Sequence, residues 1–381
     1  MKTSGYDGIV PGPPLQARRG EEVRVRLIND LPEPTALHWH GVRLANAMDG
    51  APPLTQSPIA PGESFDYRFI APDAGTYWYH PPDWFDPMGQ PRLGLYGALI
   101  VTEADPVDVD RDSTLIFADS PPAAGSTASP LRTSASLSVN GAANFDIRAR
   151  ANDRLRLRLV NASDRRILGL RVAGLRTFVM ATDGEPTAPF AARDGRLLLG
   201  PGNRMDVFVD CTLAPGAFVP IAVDGMDAGA PVARIVCDAA AASRAVPRDD
   251  PPALPSNLLP ERMDFAGALH FDWAFGRTSA RDAAVRDSRR GNAPLFAVKR
   301  GRTVVAGFSN PTSENRFIHF HGHHFRLLDT LDDGWKPFWL DTLPIAPQSN
   351  ARIAFVADNP GKWLIEGLGK ENATAGWFEV F

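Results

Sequence analysis

Three segments far apart in the chain repeat one pattern, and this repetition restricts the possible folds more than any other feature. Each has a polar turn, then apolar residues at alternate positions, then an asparagine; they span residues 18–29, 150–161 and 299–310. Apolar residues at every second position predict a β-strand with one buried face. Copies this far apart indicate three related β-domains, because the repeats of solenoids are only about 20–50 residues long.

The alternation also predicts which side chains are buried. In the first copy Val23 and Val25 should face the core, while Arg24 and Arg26 face solvent. The second copy repeats this arrangement with alternating leucines and arginines, so its arginines are also expected to face solvent. A proline turn followed by an alternating strand recurs as well, at residues 61–69, 201–209 and 347–355.

The repeats divide the chain into three predicted domains, at residues 1–105, 106–245 and 246–381. Between the second and third repeats, residues 239–261 are rich in alanine, proline and arginine, which is typical of an exposed linker. The 33 glycines and 35 prolines among 381 residues favour many short strands joined by turns. The predicted fold class is therefore all-β.

Composition argues against several kinds of partner. The formal net charge of −4 argues against electrostatic binding of nucleic acid. No apolar run approaches the roughly 20 residues of a membrane span. The chain begins without a charged-then-apolar signal region, which indicates a cytoplasmic protein or one whose signal has been removed. Its two cysteines, Cys211 and Cys237, fit either a disulfide in an exported protein or two buried free thiols.

Seven of the eight histidines are clustered, at residues 38–40, 80 and 319–324. Residues i and i+2 of a strand face the same side, so His38 and His40 present two imidazoles on one face, as do His319 and His321. Imidazole is a good ligand for copper, zinc, iron and nickel. Two such strands from distant repeats predict a metal site where the repeats meet. The alternative is a set of buried, hydrogen-bonded core histidines.

The motifs around these histidines resemble those of the laccase-type multicopper oxidases. They are HWHG at 38–41, MDG at 48–50, QSPI at 56–59, GTYWYH at 75–80, GLYGALIV at 94–101, HFHGH at 319–323, WLDTL at 339–343 and DNPGKW at 358–363. The resemblance extends over nearly the whole chain. It implies three cupredoxin-like Greek-key β-sandwiches with a copper site between the first and the third.

The chain departs from this family at the type 1 copper. In the family a His-Cys-His run supplies the thiolate of this blue copper, and the matching residues here are Glu366, Gly367 and Leu368. The other two type 1 histidine positions hold Arg316 and Asn372. Because a blue copper needs a cysteine thiolate and two histidines, the resemblance implies that no type 1 copper is bound.

The trinuclear copper cluster of the family is partly retained. Five of its eight histidines are matched here: His38, His40, His80, His319 and His321. Of these, His38 and His319 match the ligands of the type 2 copper, and the others match ligands of the type 3 pair. The three remaining ligand positions hold Pro82, Glu366 and Leu368.

Two acidic residues are the candidate catalytic groups. Asp49 matches an acid that the family uses in proton transfer beside the cluster, although an ordinary Asp-Gly turn would also explain it. Glu366 is interpreted as either an oxygen ligand or only a solvated charge.

The predicted function is that of a copper-dependent oxidoreductase holding one or two copper ions between domains 1 and 3. Its partners would be O₂, peroxide or a small-molecule reductant, and typical laccase oxidation of bulky phenols is not expected. Alternatives on the same fold are a non-catalytic copper-binding protein of the cell envelope and a metal-free scaffold. The resemblance implies a periplasmic or secreted protein and leaves the oligomeric state open.

Overall fold

Short strands form nearly all the regular structure of this chain. The computed structural model describes residues 4–82, 89–119, 136–224, 231–275, 293–329, 334–368 and 374–381. Within these ranges it has twenty-seven strands, β1–β27, and three short 3₁₀ helices, Asn46–Met48, Gln90–Leu93 and Arg193–Gly195. Among the described residues, none of the helices is long and apolar enough to cross a membrane.

Domain 1 contains the first six strands. They are β1 (Leu15–Arg18), β2 (Glu22–Ile28), β3 (His38–His40), β4 (Ser64–Ile70), β5 (Gly75–His80) and β6 (Gly97–Thr102). One sheet has the order β1-β6-β5-β3, and β2 pairs with β4 in a second sheet. Aromatic and aliphatic side chains of both sheets form the apolar core of the domain.

Domain 2 contains eleven strands among the described residues. They are β7 (Arg111–Asp119), β8 (Leu137–Val139), β9 (Phe145–Ala149), β10 (Arg154–Asn161), β11 (Leu168–Val172), β12 (Thr177–Thr182), β13 (Glu185–Ala191), β14 (Arg196–Leu199), β15 (Arg204–Asp210), β16 (Phe218–Val223) and β17 (Ala233–Cys237). The two sheets have the orders β13-β12-β15-β10-β7-β8 and β14-β11-β16-β17-β9 and enclose a largely aliphatic core.

Domain 3 contains the remaining ten strands of the described residues. They are β18 (Leu269–Ala274), β19 (Phe296–Val298), β20 (Thr303–Asn310), β21 (Arg316–Phe320), β22 (Phe325–Leu328), β23 (Trp335–Leu340), β24 (Thr342–Ile345), β25 (Ser349–Val356), β26 (Gly361–Leu368) and β27 (Thr374–Val380). Its sheets have the orders β18-β20-β25-β22-β23 and β19-β27-β26-β21-β24 around a third core. The predicted all-β fold of three sandwiches is confirmed, and the domain limits at residues 105 and 245 stay predictions.

The two recurring segments of the sequence are neighbouring strands in every domain. β2 pairs antiparallel with β4, β10 with β15, and β20 with β25. The asparagine that ends the first segment makes equivalent contacts in each domain. The side-chain amides of Asn29, Asn161 and Asn310 each donate to backbone carbonyls of the following loop and of a more distant segment. The repeat therefore specifies a strand and also the connection that follows it.

The predicted alternation of buried and exposed residues holds in β2 and fails in β10. In β2, Val23 is buried while Arg24 and Arg26 are exposed. In β10 the alternating arginines, Arg154, Arg156 and Arg158, are at most 3% exposed. The expectation that they face solvent is therefore wrong.

Ion pairs explain why these arginines can be buried. Arg156 contacts Asp206 of β15 at 2.7 Å and Glu103, which follows β6, at 2.8 Å. Arg158 reaches the hydroxyl of Thr76 in β5 at 3.0 Å. Domain 1 thus covers the second face of β10 with polar groups, and a buried charge is tolerated when it is paired and hydrogen-bonded.

The predicted linker is exposed over only part of its length. Residues 239–250 are mostly exposed, as expected. Asn257 is buried, and its amide donates to the carbonyl of Ala74 at 2.7 Å while its Oδ1 accepts the N–H of Ala74 at 3.0 Å. The second half of this segment is therefore packed against domain 1.

Candidate metal centre

Five histidines from domains 1 and 3 meet at the junction of these domains. His38 and His40 lie on β3, His80 ends β5, His319 lies on β21 and His321 follows that strand. These five residues are at most 4% exposed. The structure thus brings together all five histidines that the sequence selected as ligands.

The ring nitrogens of these histidines face one another in pairs. Nε2 of His38 lies 3.1 Å from Nε2 of His319, across the domain junction. Nδ1 of His40 lies 3.1 Å from Nε2 of His80, within domain 1. Two ligands of one metal ion, each about 2.0–2.1 Å from it, are at most about 4.2 Å apart, so either pair can bind a common ion.

Hydrogen bonds of the outward nitrogens direct the inward ones. The Nδ1–H groups of His38, His319 and His80 donate to the carbonyls of Asp49, Asp341 and Pro81. A neutral imidazole that donates from one nitrogen has a lone pair on the other, so Nε2 of His38 and Nε2 of His319 face each other as acceptors. A proton or a metal ion between them would satisfy both lone pairs.

Asp49 connects the two halves of the histidine cluster. Its Oδ2 lies 2.9 Å from Nδ1 of His321, and its Oδ1 lies 3.3 Å from Nδ1 of His38. Gly50, at φ 73°, allows this approach, because a Cβ there would lie 1.8 Å from the carbonyl oxygen of Leu37. Asp49 therefore lies in an Asp-Gly turn and also contacts the cluster.

Burial and neighbouring charges set the protonation of the cluster. Burial lowers the pKa of His319 to about 4 and lowers the pKa values of His40 and His80 as well. Burial also opposes a charge on His321, but the carboxylates of Asp49 and Glu366 outweigh it and raise the pKa of His321 to about 10. The two carboxylates therefore favour the charged form of His321 in the metal-free protein.

Glu366 lies at the domain 3 side of the cluster. It is buried on β26, opposite His319 in the strand register, and its Oε2 is 3.5 Å from Nε2 of His321. Burial opposes ionisation of Glu366, yet His321 lowers the pKa of its carboxyl to about 2. The structure thus excludes the interpretation of Glu366 as a charge held in solvent.

A group of residues that contacts the histidines was not predicted from the sequence. The hydroxyl of Thr342 lies 3.0 Å from Nε2 of His40 and 3.0 Å from Nδ1 of His319. The same hydroxyl donates to Asp341 Oδ1 at 2.8 Å. Both residues belong to the WLDTL motif quoted for the resemblance, so that motif was the available signal.

Arg204 of domain 2 binds this group of residues through Asp341. Its guanidinium binds both carboxylate oxygens of Asp341, at 2.8 and 2.5 Å. Its other N–H groups donate to the carbonyls of Thr76, Gly202 and Asp183. One side chain of domain 2 therefore binds all three domains, and periodicity alone had no means of selecting it.

The positions matched to a type 1 copper offer few donor atoms. Gly367 has no side chain, and its backbone pairs with Ile318 of β21. Arg316 pairs with Ile345, and its guanidinium cannot lose a proton to bind metal. Asn372 lies outside the described residues. Cys211 and Cys237 are free, buried thiols in the core of domain 2.

Two further histidines of the HFHGHH segment have other surroundings. His323 packs against the rings of Phe355, Trp363 and Phe378. Nε2 of His324 donates to the carbonyl of Asp183 at 3.2 Å. His323 therefore packs against the core of domain 3.

A narrow cavity of about 40 Å³ reaches the cluster where the three domains meet. Its lining includes His40, His319 and Glu366 at the cluster and Trp78, Tyr96 and Asp119 farther out. A water molecule needs about 10–15 Å³ of such cavity volume, so the cavity has room for a few waters or a molecule as small as O₂ or peroxide.

The donor set fits copper. Five imidazoles are nitrogen ligands of the kind that copper prefers, and most have their second nitrogen hydrogen-bonded, as histidine ligands of metals usually do. Nε2 of His321 is buried without a hydrogen-bond partner among the described residues. One ligand atom from each of His38, His40 and His319 lies within 4.8 Å of the others, and the same is true of His38, Asp49 and His321.

Comparisons with known proteins agree with this donor set. Three family models, each described as multicopper oxidase, match residues 1–106, 102–240 and 263–367. The chain is 29% identical to the multicopper oxidase MmcO of Mycobacterium tuberculosis, with 99% of this chain and 82% of that protein covered.

Solved structures show the same similarity. A multi-copper oxidase from Pseudomonas thermotolerans matches 98% of this chain and 93% of its own, at 29% identity and a TM-score of 0.83. Lac15 from a marine microbial metagenome matches 99% of this chain and 93% of its own, at 30% identity and a TM-score of 0.83.

Proposed function

The chain belongs to the multicopper oxidase family, and we propose that it is a copper-binding oxidoreductase whose copper lies only at the junction of domains 1 and 3. The observation that carries this proposal is the pair of inward Nε2 atoms of His38 and His319, 3.1 Å apart and both directed by backbone carbonyls. His40, His80 and His321 supply the other imidazoles. One or two copper ions are expected per chain.

Bound copper supplies one-electron chemistry with O₂, peroxide or a small reductant. His38 and His319 would hold an ion with open positions left for such a molecule. Asp49 orients His321 by holding the proton on its Nδ1, and the surrounding domains exclude bulk water. Asp49 is the candidate for moving protons at this site, because its carboxylate already contacts two rings.

The absence of a type 1 copper is part of the proposal. Gly367 and Arg316 at the matched positions cannot bind copper through side-chain donors. Without that copper, electrons have no remote entry point, so the reductant must reach the cluster itself. The cavity of about 40 Å³ supports a small reductant over a bulky phenol. The family resemblance supports a periplasmic or secreted location.

Copper loading tests this proposal. The protein is loaded with Cu²⁺ and desalted, and its metal content is measured together with its EPR spectrum. We expect retained copper with a type 2 signal and no intense blue thiolate band. The double variant His38→Ala/His319→Ala should lose the type 2 signal, whereas His270→Ala, at an exposed histidine in β18, should keep it.

Two outcomes would contradict the proposal. Unchanged metal content in the double variant would refute the assignment of His38 and His319. No copper retained by the wild-type protein would favour the metal-free scaffold, with the histidines serving as hydrogen-bonded core residues.

A further inference from the structure

We propose that Glu366 is a metal ligand and that, with His321, it holds a second ion beside the one at His38 and His319. This inference rests on the proposed function and specifies the donor set of the same centre. It makes the domain 3 side of the centre a mixed imidazole–carboxylate site for a divalent transition-metal ion, with Cu²⁺ favoured by its high affinity for nitrogen and oxygen ligands.

The sheets that carry the histidines have the same strand arrangement in domains 1 and 3. In domain 1 the sheet order is β1-β6-β5-β3, and in domain 3 the equivalent run is β19-β27-β26-β21. β1 and β6 run parallel, as do β19 and β27. β3 and β5 run antiparallel, as do β21 and β26.

This correspondence assigns each ligand of domain 1 a counterpart in domain 3. His38 stands opposite His80 in the register of β3 and β5. His319 stands opposite Glu366 in the register of β21 and β26. Since His38 corresponds to His319, Glu366 occupies in domain 3 the place that His80 occupies in domain 1.

The distance between the donor atoms of His321 and Glu366 also suits two ligands of one ion. Nδ1 of His40 and Nε2 of His80 lie 3.1 Å apart, and their counterparts, Nε2 of His321 and Oε2 of Glu366, lie 3.5 Å apart. Charge-assisted hydrogen bonds between nitrogen and oxygen are about 2.7–2.9 Å long, so 3.5 Å is too long for one. It is within the roughly 4.2 Å allowed for two ligands of one ion.

The charges around His321 also favour a bound ion. The His321 ring lies between two buried carboxylates, with Asp49 at Nδ1 and Glu366 at Nε2. Buried charges of one sign need a compensating charge nearby. A metal ion at Nε2 takes the place of the ring proton there as that charge, while Asp49 keeps the Nδ1 proton and fixes the orientation of the ring, as carboxylates commonly do for metal-bound histidines.

Substitution of Glu366 tests the assignment by metal content. The wild-type protein, loaded with Cu²⁺ and desalted, should retain about two ions per chain. Glu366→Gln keeps the size of the side chain but removes its charge, and it should retain about one ion with the type 2 EPR signal intact. Glu366→His restores an imidazole donor and should again retain about two.

Glu185→Gln is the matched control, because Glu185 is also buried and also faces a histidine, His324, at 3.9 Å outside the cluster. It should retain as much copper as the wild type. Equal copper content in Glu366→Gln and wild type would overturn the inference. Should Glu366→Gln fail to fold, anomalous scattering at the copper edge from wild-type crystals decides the question.

The anomalous map separates the two proposals. Density within about 2.2 Å of both Nε2 of His321 and a carboxylate oxygen of Glu366 supports the inference. Density at His38 and His319, or at His40 and His80, with none at Glu366 overturns it and leaves the proposed function standing. A wild-type protein that retains no copper contradicts both.

Discussion

At the scale of single residues, the nitrogen of each histidine that points away from the cluster determines what the other nitrogen can do. Backbone carbonyls fix His38, His80 and His319, whereas His321 depends on a side chain, Asp49. A carbonyl keeps its character at any pH. The dependence of His321 on one carboxylate makes Asp49 the most sensitive support of the centre.

Asp49→Asn should weaken copper binding by about 10–100-fold, as loss of such supports commonly does. The carboxylate accepts the Nδ1–H of His321, and an asparagine that turns its NH2 group toward this ring cannot accept it. Competition with a chelator of known affinity measures the effect, and Asp66→Asn, at an exposed position of β4, serves as control. Equal affinities for Asp49→Asn and wild type would show that the carboxylate does not support the ligands.

Ionisation of Glu185 should make the free energy of unfolding depend on pH. Burial raises the pKa of its carboxyl to about 7 from the ordinary 4.5. The folded chain therefore binds this proton more tightly than the unfolded chain, and stability is lost as pH rises from about 4.5 to 7. Glu185→Gln removes this loss, because a glutamine does not ionise.

Relative to wild type, Glu185→Gln should gain about 1–3 kcal/mol in free energy of unfolding between pH 5 and pH 8. Chemical denaturation of the metal-free protein at both pH values measures the change. Parallel pH profiles for variant and wild type would contradict the assignment.

At the scale of strands and loops, each repeat ends in an asparagine that anchors the next connection. Asn161 donates to the carbonyls of Arg166 and Leu199, and its Oδ1 accepts the N–H of Ser163. Its side chain is buried, so water cannot replace these bonds. The same pattern at Asn29 and Asn310 makes the anchor a property of the repeat.

Asn161→Ala should lower the free energy of unfolding by about 2–4 kcal/mol, since it leaves several buried backbone groups without partners. Asn350→Ala, at an exposed position of β25, should change it little. Denaturant unfolding followed by tryptophan fluorescence compares the two. A loss below about 0.5 kcal/mol at Asn161, the usual range for surface changes, would show that water or the loop takes over its role.

Sequence periodicity predicted the strands well and the environment of their polar faces poorly. Alternation correctly places Val23 in the core and Arg24 in solvent. It fails at Arg156 because the polar face of β10 is covered by another domain, and nothing within the strand encodes that neighbour. The sequence correctly selected the histidines that cluster, because their motifs are local. Arg204 was missed because its partners come from three domains.

At the scale of the whole molecule, domain 2 supports a centre to which it contributes no ligand among the predicted residues. Arg204 binds Asp341 with two hydrogen bonds, and Asp341 with Thr342 contacts both His40 and His319. Gly41 makes room for it, because a Cβ there would lie 2.0 Å from Nη2 of Arg204. The geometry of the junction between domains 1 and 3 thus depends on domain 2.

Arg204→Met should lower the free energy of unfolding by about 3–5 kcal/mol, because it leaves Asp341 buried without its partner. Arg24→Met, on the exposed side of β2, is the control and should lie within about 0.5 kcal/mol of wild type. In Arg204→Met samples that remain folded, the type 2 EPR signal should broaden. Wild-type stability together with an unchanged spectrum would show that Arg204 does not support the centre.

The buried arginines of β10 also bear on how the chain is made. Domain 1 leaves the ribosome first, so Thr76 and Glu103 are already present when Arg156 and Arg158 appear. Beside these ion pairs, Ile116 and Val160 of domain 2 pack against Trp78 and Ile100 of domain 1, so an unfinished chain would expose both charged and apolar groups at this seam. His319 and His321 belong to domain 3, so the cluster of five histidines can assemble only after that domain has been made.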